Sequence, residues 1–158
     1  LARAGRAGLP LSVALLDVDH FKRLNDTYGH RAGDLVLQAL ARLLQSNSRH
    51  EDIPCRYGGE EFVLVLVGAP LAAAAQRAEA WRQAFEASVV EYEGWSLRGT
   101  VSLGVAAFPR HGATTDELLK AADRALYQAK ARGRNQVAVA ESRPTAPLVS
   151  AREKTEAE

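Results

Sequence analysis

A chain of 158 residues, 47% apolar and 25% charged, can bury a core without disulfide or metal staples and has the balance of an ordinary globular protein. Its net charge of +1 argues against a surface built mainly for a nucleic acid polymer. No apolar run nears the roughly 20 residues of a membrane-spanning helix, no signal-peptide pattern opens the chain, and the single Cys55 has no internal partner, so a reducing, cytoplasmic setting is expected.

The chain contains no methionine and reads as a fragment of something longer, which could itself be membrane-attached. Residues 1–11 look like the remnant of an upstream element. The apolar run "LSVALLDVD", Leu11 to Asp19, has the length and β-branching of a buried central strand. "NDTYGHRAGD" reads as a turn-rich stretch. From about Arg31 to Ser46, Val36, Leu37, Leu40, Leu43 and Leu44 repeat at helical spacing. "IPCRY", Gly58-Gly59 and "EFVLVLV" read as a β-hairpin, its glycines supplying the positive φ of a tight primed turn.

Pro70 to about Ser88 is alanine-rich and helical, with Trp81 and Phe85 four residues apart. Val89 to Phe108 reads as two strands around Gly94. "TTDELLKAADRALYQAKARG" is the clearest helix, with a capping box at Thr114 and Glu117 and a stop at Gly133. "NQVAVA" closes with a short strand. The polar, proline-containing tail, 141–158, is expected to be flexible. Strands alternate with helices while the hairpins demand antiparallel pairing, so the expected fold is α+β, a mainly antiparallel sheet flanked by helices.

The carboxylates carry the chemistry. Asp17 and Asp19 close the first strand two residues apart and so can face one spot; a buried pair of that kind wants a cation. Glu60 and Glu61 stand at the hairpin tip, pointing to opposite sides by strand alternation. Hard oxygen donors of this kind suit Mg²⁺, which shares its shell with substrate phosphates and in pairs clamps a phosphoryl or nucleotidyl transfer. Backbone N–H groups at His20 and Phe21, together with Lys22, can meet phosphates. Lys130 and Arg134 bracket a helix end, where cations also occur simply to complement the helix dipole. No Walker-type loop is present.

"DVDHFKRLNDTYGHRAGD", "RYGGEEF" and "ALYQAKARGRN" closely resemble, in order, three blocks of the GGDEF-domain diguanylate cyclases, here in a GGEEF form. The resemblance spans about Ser12 to Ala140 and sets the expected domain at 12–140. It implies a fold related to nucleotidyl cyclases and polymerase palms, and condensation of two GTP to cyclic di-GMP with release of two pyrophosphates. It implies that Asp17, the Val18 carbonyl, Glu60 and Glu61 hold Mg²⁺ (or Mn²⁺), with Glu60 helping to activate the attacking 3′-hydroxyl. Gly58 and Gly59 would let the backbone approach GTP. His20, Phe21, Lys22, Lys130 and Arg134 would contact its phosphates, and Asn25 and Asp34 would read guanine. Alone, Asn25 and Asp34 would pass as a turn residue and a helix-start acid.

The same resemblance assigns Arg49 and Asp52 of "RHED" to a product-binding inhibitory site, with Arg77 or Arg82 as a possible second arginine. Each domain would hold one GTP, so turnover would require a homodimer with its sites facing. The resemblance also implies an upstream sensory or receiver domain; cyclase domains usually begin with a "DxLTGLxNRR"-like segment and a helix ahead of the first strand, and the fragment is expected to start inside or after that helix. Two other readings stand beside the cyclase. One is a non-catalytic module that binds cyclic di-GMP or GTP; the other is a palm-type nucleotidyl transferase that uses ATP.

Overall fold

Eight consecutive buried residues make β1 (Leu11–Val18) a central strand, as its unbroken apolar run requires. The computed structural model describes residues 5, 6 and 8–142; the tail expectation for 143–158 lies outside the described residues. On one side β1 pairs antiparallel with β3 (Glu61–Val67), and β3 with β2 (Ile53–Arg56). On the other it pairs antiparallel with β6 (Val101–Phe108), to which β7 (Val137–Val139) adds in parallel. The order is β2-β3-β1-β6-β7.

Strand alternation splits the core into two layers. Ala14, Leu16, Val18, Phe62 and Leu64 face a layer built with Phe21 of α1 (Phe21–Tyr28), Val36 and Leu40 of α2 (His30–Ser46) and Trp81 and Phe85 of α3 (Leu71–Ala87). Leu11, Val13, Leu15 and Val63 face Leu118, Ala122 and Leu126 of α4 (Thr115–Ala131). This is the expected α+β sandwich. α4 lies so close that a Cβ on Gly104 of β6 would sit 2.1 Å from the Ala122 carbonyl oxygen. Its start follows the sequence signal: the Glu117 N–H donates to Thr114 Oγ1 at 3.2 Å.

Three local expectations are corrected. "NDTYGHRAGD" is mostly helical: α1 runs to Tyr28, and the break is confined to Gly29, whose φ of 89° no other residue adopts readily. Burial of Phe21 and Leu24 against the core overrides the poor helix propensity of Asn25, Asp26 and Thr27. The stretch from Val89 to Phe108 holds three strands rather than two. β4 (Val90–Tyr92) and β5 (Trp95–Leu97) form a separate hairpin whose turn takes Glu93 and Gly94 to positive φ, and β6 follows in the main sheet.

The Gly58-Gly59 turn is the third correction. Neither glycine has a positive φ, and Arg56 pairs with Phe62 across a five-residue loop rather than a two-residue primed turn. The N–H groups of Tyr57 and Gly58 both donate to the Glu61 carbonyl, at 2.8 and 3.2 Å. Arg56 clamps the loop from the other side, its Nε and Nη2 donating to the carbonyls of Gly58 and Gly59 at 3.1 and 2.6 Å.

Candidate active site

The open end of β1 gathers the charged groups. Asp17 lies opposite Glu61 in the β1–β3 ladder, on the face covered by α4. Lys130, in the last turn of α4, reaches across and donates to Asp17 Oδ2 at 2.6 Å. The next residue, Val18, donates its N–H to the Glu60 carbonyl at 3.3 Å, which pins the glycine loop to the strand end.

Glu60 is consequently crowded. Burial, then the charge of Asp17 and a hydrogen bond with it, push the Glu60 carboxyl up to about 6, against the opposing pull of Lys130. Glu61 leans the other way, its Oε2 only 2.9 Å from where a Cβ on Gly58 would stand. Among the described residues, no group of three or more His, Cys, Asp or Glu side chains is spaced to hold a metal. The buried Asp17 and half-buried Glu60, two mutually repelling carboxylates, still fit a hard cation, because Mg²⁺ is commonly held by one or two carboxylates, with water and substrate phosphates completing its shell.

Asp17 and Asp19 do not converge. β1 ends at Val18, and the carboxylate of Asp19 accepts from Ser102 Oγ, Thr100 Oγ1 and the Asn135 N–H. His20, in a left-handed conformation with φ 54°, turns the chain into α1. There Phe21 is buried and Lys22 exposed. Asn25 lies one turn further on, its Oδ1 buried without a hydrogen-bond partner in the fold. It rests on Gly33 of α2, where a Cβ would come within 1.9 Å of that oxygen. Asp34, the next residue, is exposed and lines a cavity of about 420 Å³ with Leu37, Cys55, Arg56 and Phe62. Arg134 is exposed in the loop after α4.

Arg49 and Asp52 stand apart from this cluster, just before β2. The Arg49 N–H donates to Asp52 Oδ2 at 2.6 Å, which folds the "RHED" turn on itself. Arg77 of α3 forks onto both oxygens of Asp52 and stacks over Trp81, its guanidinium carbon 5.2 Å from the ring centroid. Burial alone would raise the Asp52 carboxyl; the hydrogen bonds from Arg77 and the Arg49 N–H outweigh it and hold the group below its ordinary range. Arg82 is elsewhere, bonded to Glu79, Glu86 and Asn135. Sequence reasoning missed Gly33, Arg56 and Asn135; the last was visible only as the final letter of "GRN".

A mainly antiparallel sheet with acids at the end of its central strand, facing an acid-tipped hairpin, defines the class of palm-like nucleotidyl cyclase domains. The family model "Diguanylate cyclase, GGDEF domain" matches residues 1–136, and the chain belongs to that family. It is 47% identical over 137 residues to the response regulator PleD of Caulobacter vibrioides, covering 85% of this chain but only 30% of that protein. The active GGEEF domain of a diguanylate cyclase from Vibrio cholerae superposes with a TM-score of 0.83 at 34% identity, covering 90% of each chain. The GGDEF domain of DgcB from Caulobacter crescentus, solved in complex with c-di-GMP, superposes with a TM-score of 0.84 at 33% identity, covering 89% of this chain and 84% of that one.

Proposed function

We propose that the chain is the catalytic domain of a diguanylate cyclase. The observation that carries this reading is the meeting of Asp17, Glu60 and Lys130 at the mouth of the central sheet. Asp17, the Val18 carbonyl and Glu60 would hold Mg²⁺, with Glu61 beside them. When bound, the ion neutralises triphosphate charge and makes a ribose hydroxyl easier to deprotonate. Glu60 takes the proton of a 3′-hydroxyl. That oxygen bonds to the α-phosphorus of the GTP held by the facing domain, the bond from that phosphorus to the bridging oxygen breaks, and pyrophosphate leaves. A second, symmetric step closes the ring. Two domains are needed because each holds one GTP, and holding the two in register is a large part of the rate.

Lys22, Lys130 and Arg134, with the N–H groups of His20 and Phe21, receive the phosphates. Gly59 favours close approach, since a Cβ there would meet nothing within 4 Å. The unpartnered Asn25 Oδ1 supports a base reader: a buried acceptor left unpaired costs about 1–3 kcal/mol, and turning the side chain from Gly33 toward a guanine N–H would relieve it. Asp34 adds a carboxylate that accepts two such donors.

The fork between Arg77 and Asp52 favours a second property, inhibition by cyclic di-GMP at Arg49 and Asp52, with Arg77 rather than Arg82 as the further arginine. The competing reading, a module that binds the dinucleotide without turnover, leans on the same residues. GTP turnover with Mg²⁺ separates the two. Cyclic di-GMP formed by the native protein and lost in Glu60→Gln supports the enzyme, whereas tight dinucleotide binding without turnover supports the module.

A further inference from the structure

Asp19 stands two residues from Asp17, yet its carboxylate is already committed. Oδ1 accepts from Ser102 Oγ at 2.7 Å. Oδ2 accepts from Thr100 Oγ1 at 2.8 Å and from the Asn135 N–H at 3.0 Å. Its own N–H donates to the Thr100 carbonyl at 2.9 Å. A buried carboxylate with three donors is an anchor.

What it anchors is strained. Arg134 and Asn135 follow Gly133 with φ of 63° and 47°, both left-handed. Non-glycine residues are disfavoured there, asparagine less than most, so the loop keeps this shape only where its surroundings hold it. The Arg134 N–H is held by the Ala129 carbonyl at 3.0 Å. Asn135 is held at three points: its N–H by Asp19, its Oδ1 by Arg82 Nη1 at 2.8 Å, and its Nδ2 by Glu86 Oε1 at 2.8 Å. The loop is thereby fixed between the end of β1 and the solvent side of α3.

We infer that Asp19 is a positioning residue and not a metal ligand: through the Asn135 N–H it locks the loop that aims Arg134, next to the helix end that aims Lys130, at the phosphates of the nucleotide. This rests on the proposed function, because it assigns Arg134 and Lys130 to phosphate. The two carboxylates of "DVD" then divide the work. Asp17 faces Lys130 and Glu60, while Asp19 shapes the cationic wall opposite them.

The test is equilibrium binding of GTP with Mg²⁺ alongside steady-state turnover. The proteins are the native form, Asp19→Asn, Asn135→Ala, Arg134→Ala and the Asp19→Asn/Arg134→Ala double variant, with thermal melting as a fold control. Both Asp19→Asn and Asn135→Ala are expected to weaken GTP affinity and raise KM about 10-fold, the scale of one lost charge-assisted hydrogen bond. In each, kcat should stay within about 3-fold and the half-saturating Mg²⁺ concentration should not move. Adding Asp19→Asn to Arg134→Ala should cost little more, because the two act through one contact.

A folded Asp19→Asn with unchanged KM overturns the inference, as does a raised Mg²⁺ requirement or a fully additive double variant. If Asp19→Asn does not fold, Ser102→Ala, which takes one donor from Asp19 Oδ1 and loosens the carboxylate without replacing it, is expected to raise KM in the same direction, and an unchanged KM in that variant overturns the inference. A native protein that binds GTP without forming a cyclic dinucleotide contradicts the proposed function and leaves the binding comparison decisive. One that binds no GTP contradicts both.

Discussion

Glu60 owes its proton affinity to its neighbours, so its removal should be felt in rate and not in fold. Glu60→Gln keeps the shape of the side chain but removes a proton acceptor; turnover is expected to fall by about 10²-fold or more, with a melting temperature at or above that of the native protein, since one member of a repelling pair of acids is gone. Gly33 makes a different point. A methyl group there would displace Asn25, so Gly33→Ala should narrow the preference for GTP over ATP, measured as the ratio of kcat/KM values, by about 10-fold or more. Asp17 and Glu60 were legible as candidates because acids beside apolar runs demand a partner; Lys130 read only as a cation at a helix end, and its bond to Asp17 emerges only in the fold. Gly33 and Asn135 were not legible, because their roles arise only where two segments meet in space.

At the scale of elements, α4 seats on β6 backbone against backbone. A Cβ on Gly104 would meet backbone atoms of Ala122 and Leu126 within 2.3 Å, which no side-chain rotation relieves. Gly104→Ala should therefore destabilise by at least about 3 kcal/mol in urea unfolding, the upper end for an overpacked core. The turn after β6 supplies a pH-dependent contribution. His111 is buried, and its Nδ1 accepts from the Ala107 N–H at 2.9 Å. Burial, and secondarily Arg110, hold its pKa below the ordinary 6.5. The unfolded chain then binds the proton more readily, so this stability is present above 6.5 and is lost as pH falls toward the lower folded value. His111→Asn, which retains an acceptor, should flatten the dependence of melting temperature on pH as pH falls below 6.5. Long periodic segments such as α2 and α4 could be read directly from the sequence. α1 could not, since its helicity comes from packing, and the wide Gly58-Gly59 loop depends on Arg56, whose reach no local pattern reveals.

Across the whole molecule, α3 ties two regions together: Arg77 engages Asp52 beside β2, while Arg82 and Glu86 hold Asn135 near the open end of β1. Arg77→Ala leaves the Asp52 carboxylate, with no side-chain exposure, held only by the Arg49 N–H. It should cost about 3 kcal/mol of stability and raise the cyclic di-GMP concentration that half-inhibits turnover by about 10-fold or more. No helix among the described residues is long and apolar enough to cross a membrane. The most direct test of the central claim is GTP turnover with Mg²⁺ over a wide range of protein concentration, identifying the nucleotide product. The account predicts cyclic di-GMP and pyrophosphate in a ratio of one to two, at a rate that rises faster than linearly with protein and is abolished in Glu60→Gln. Linear pyrophosphate release without a cyclic dinucleotide, or no turnover at any concentration, would contradict it.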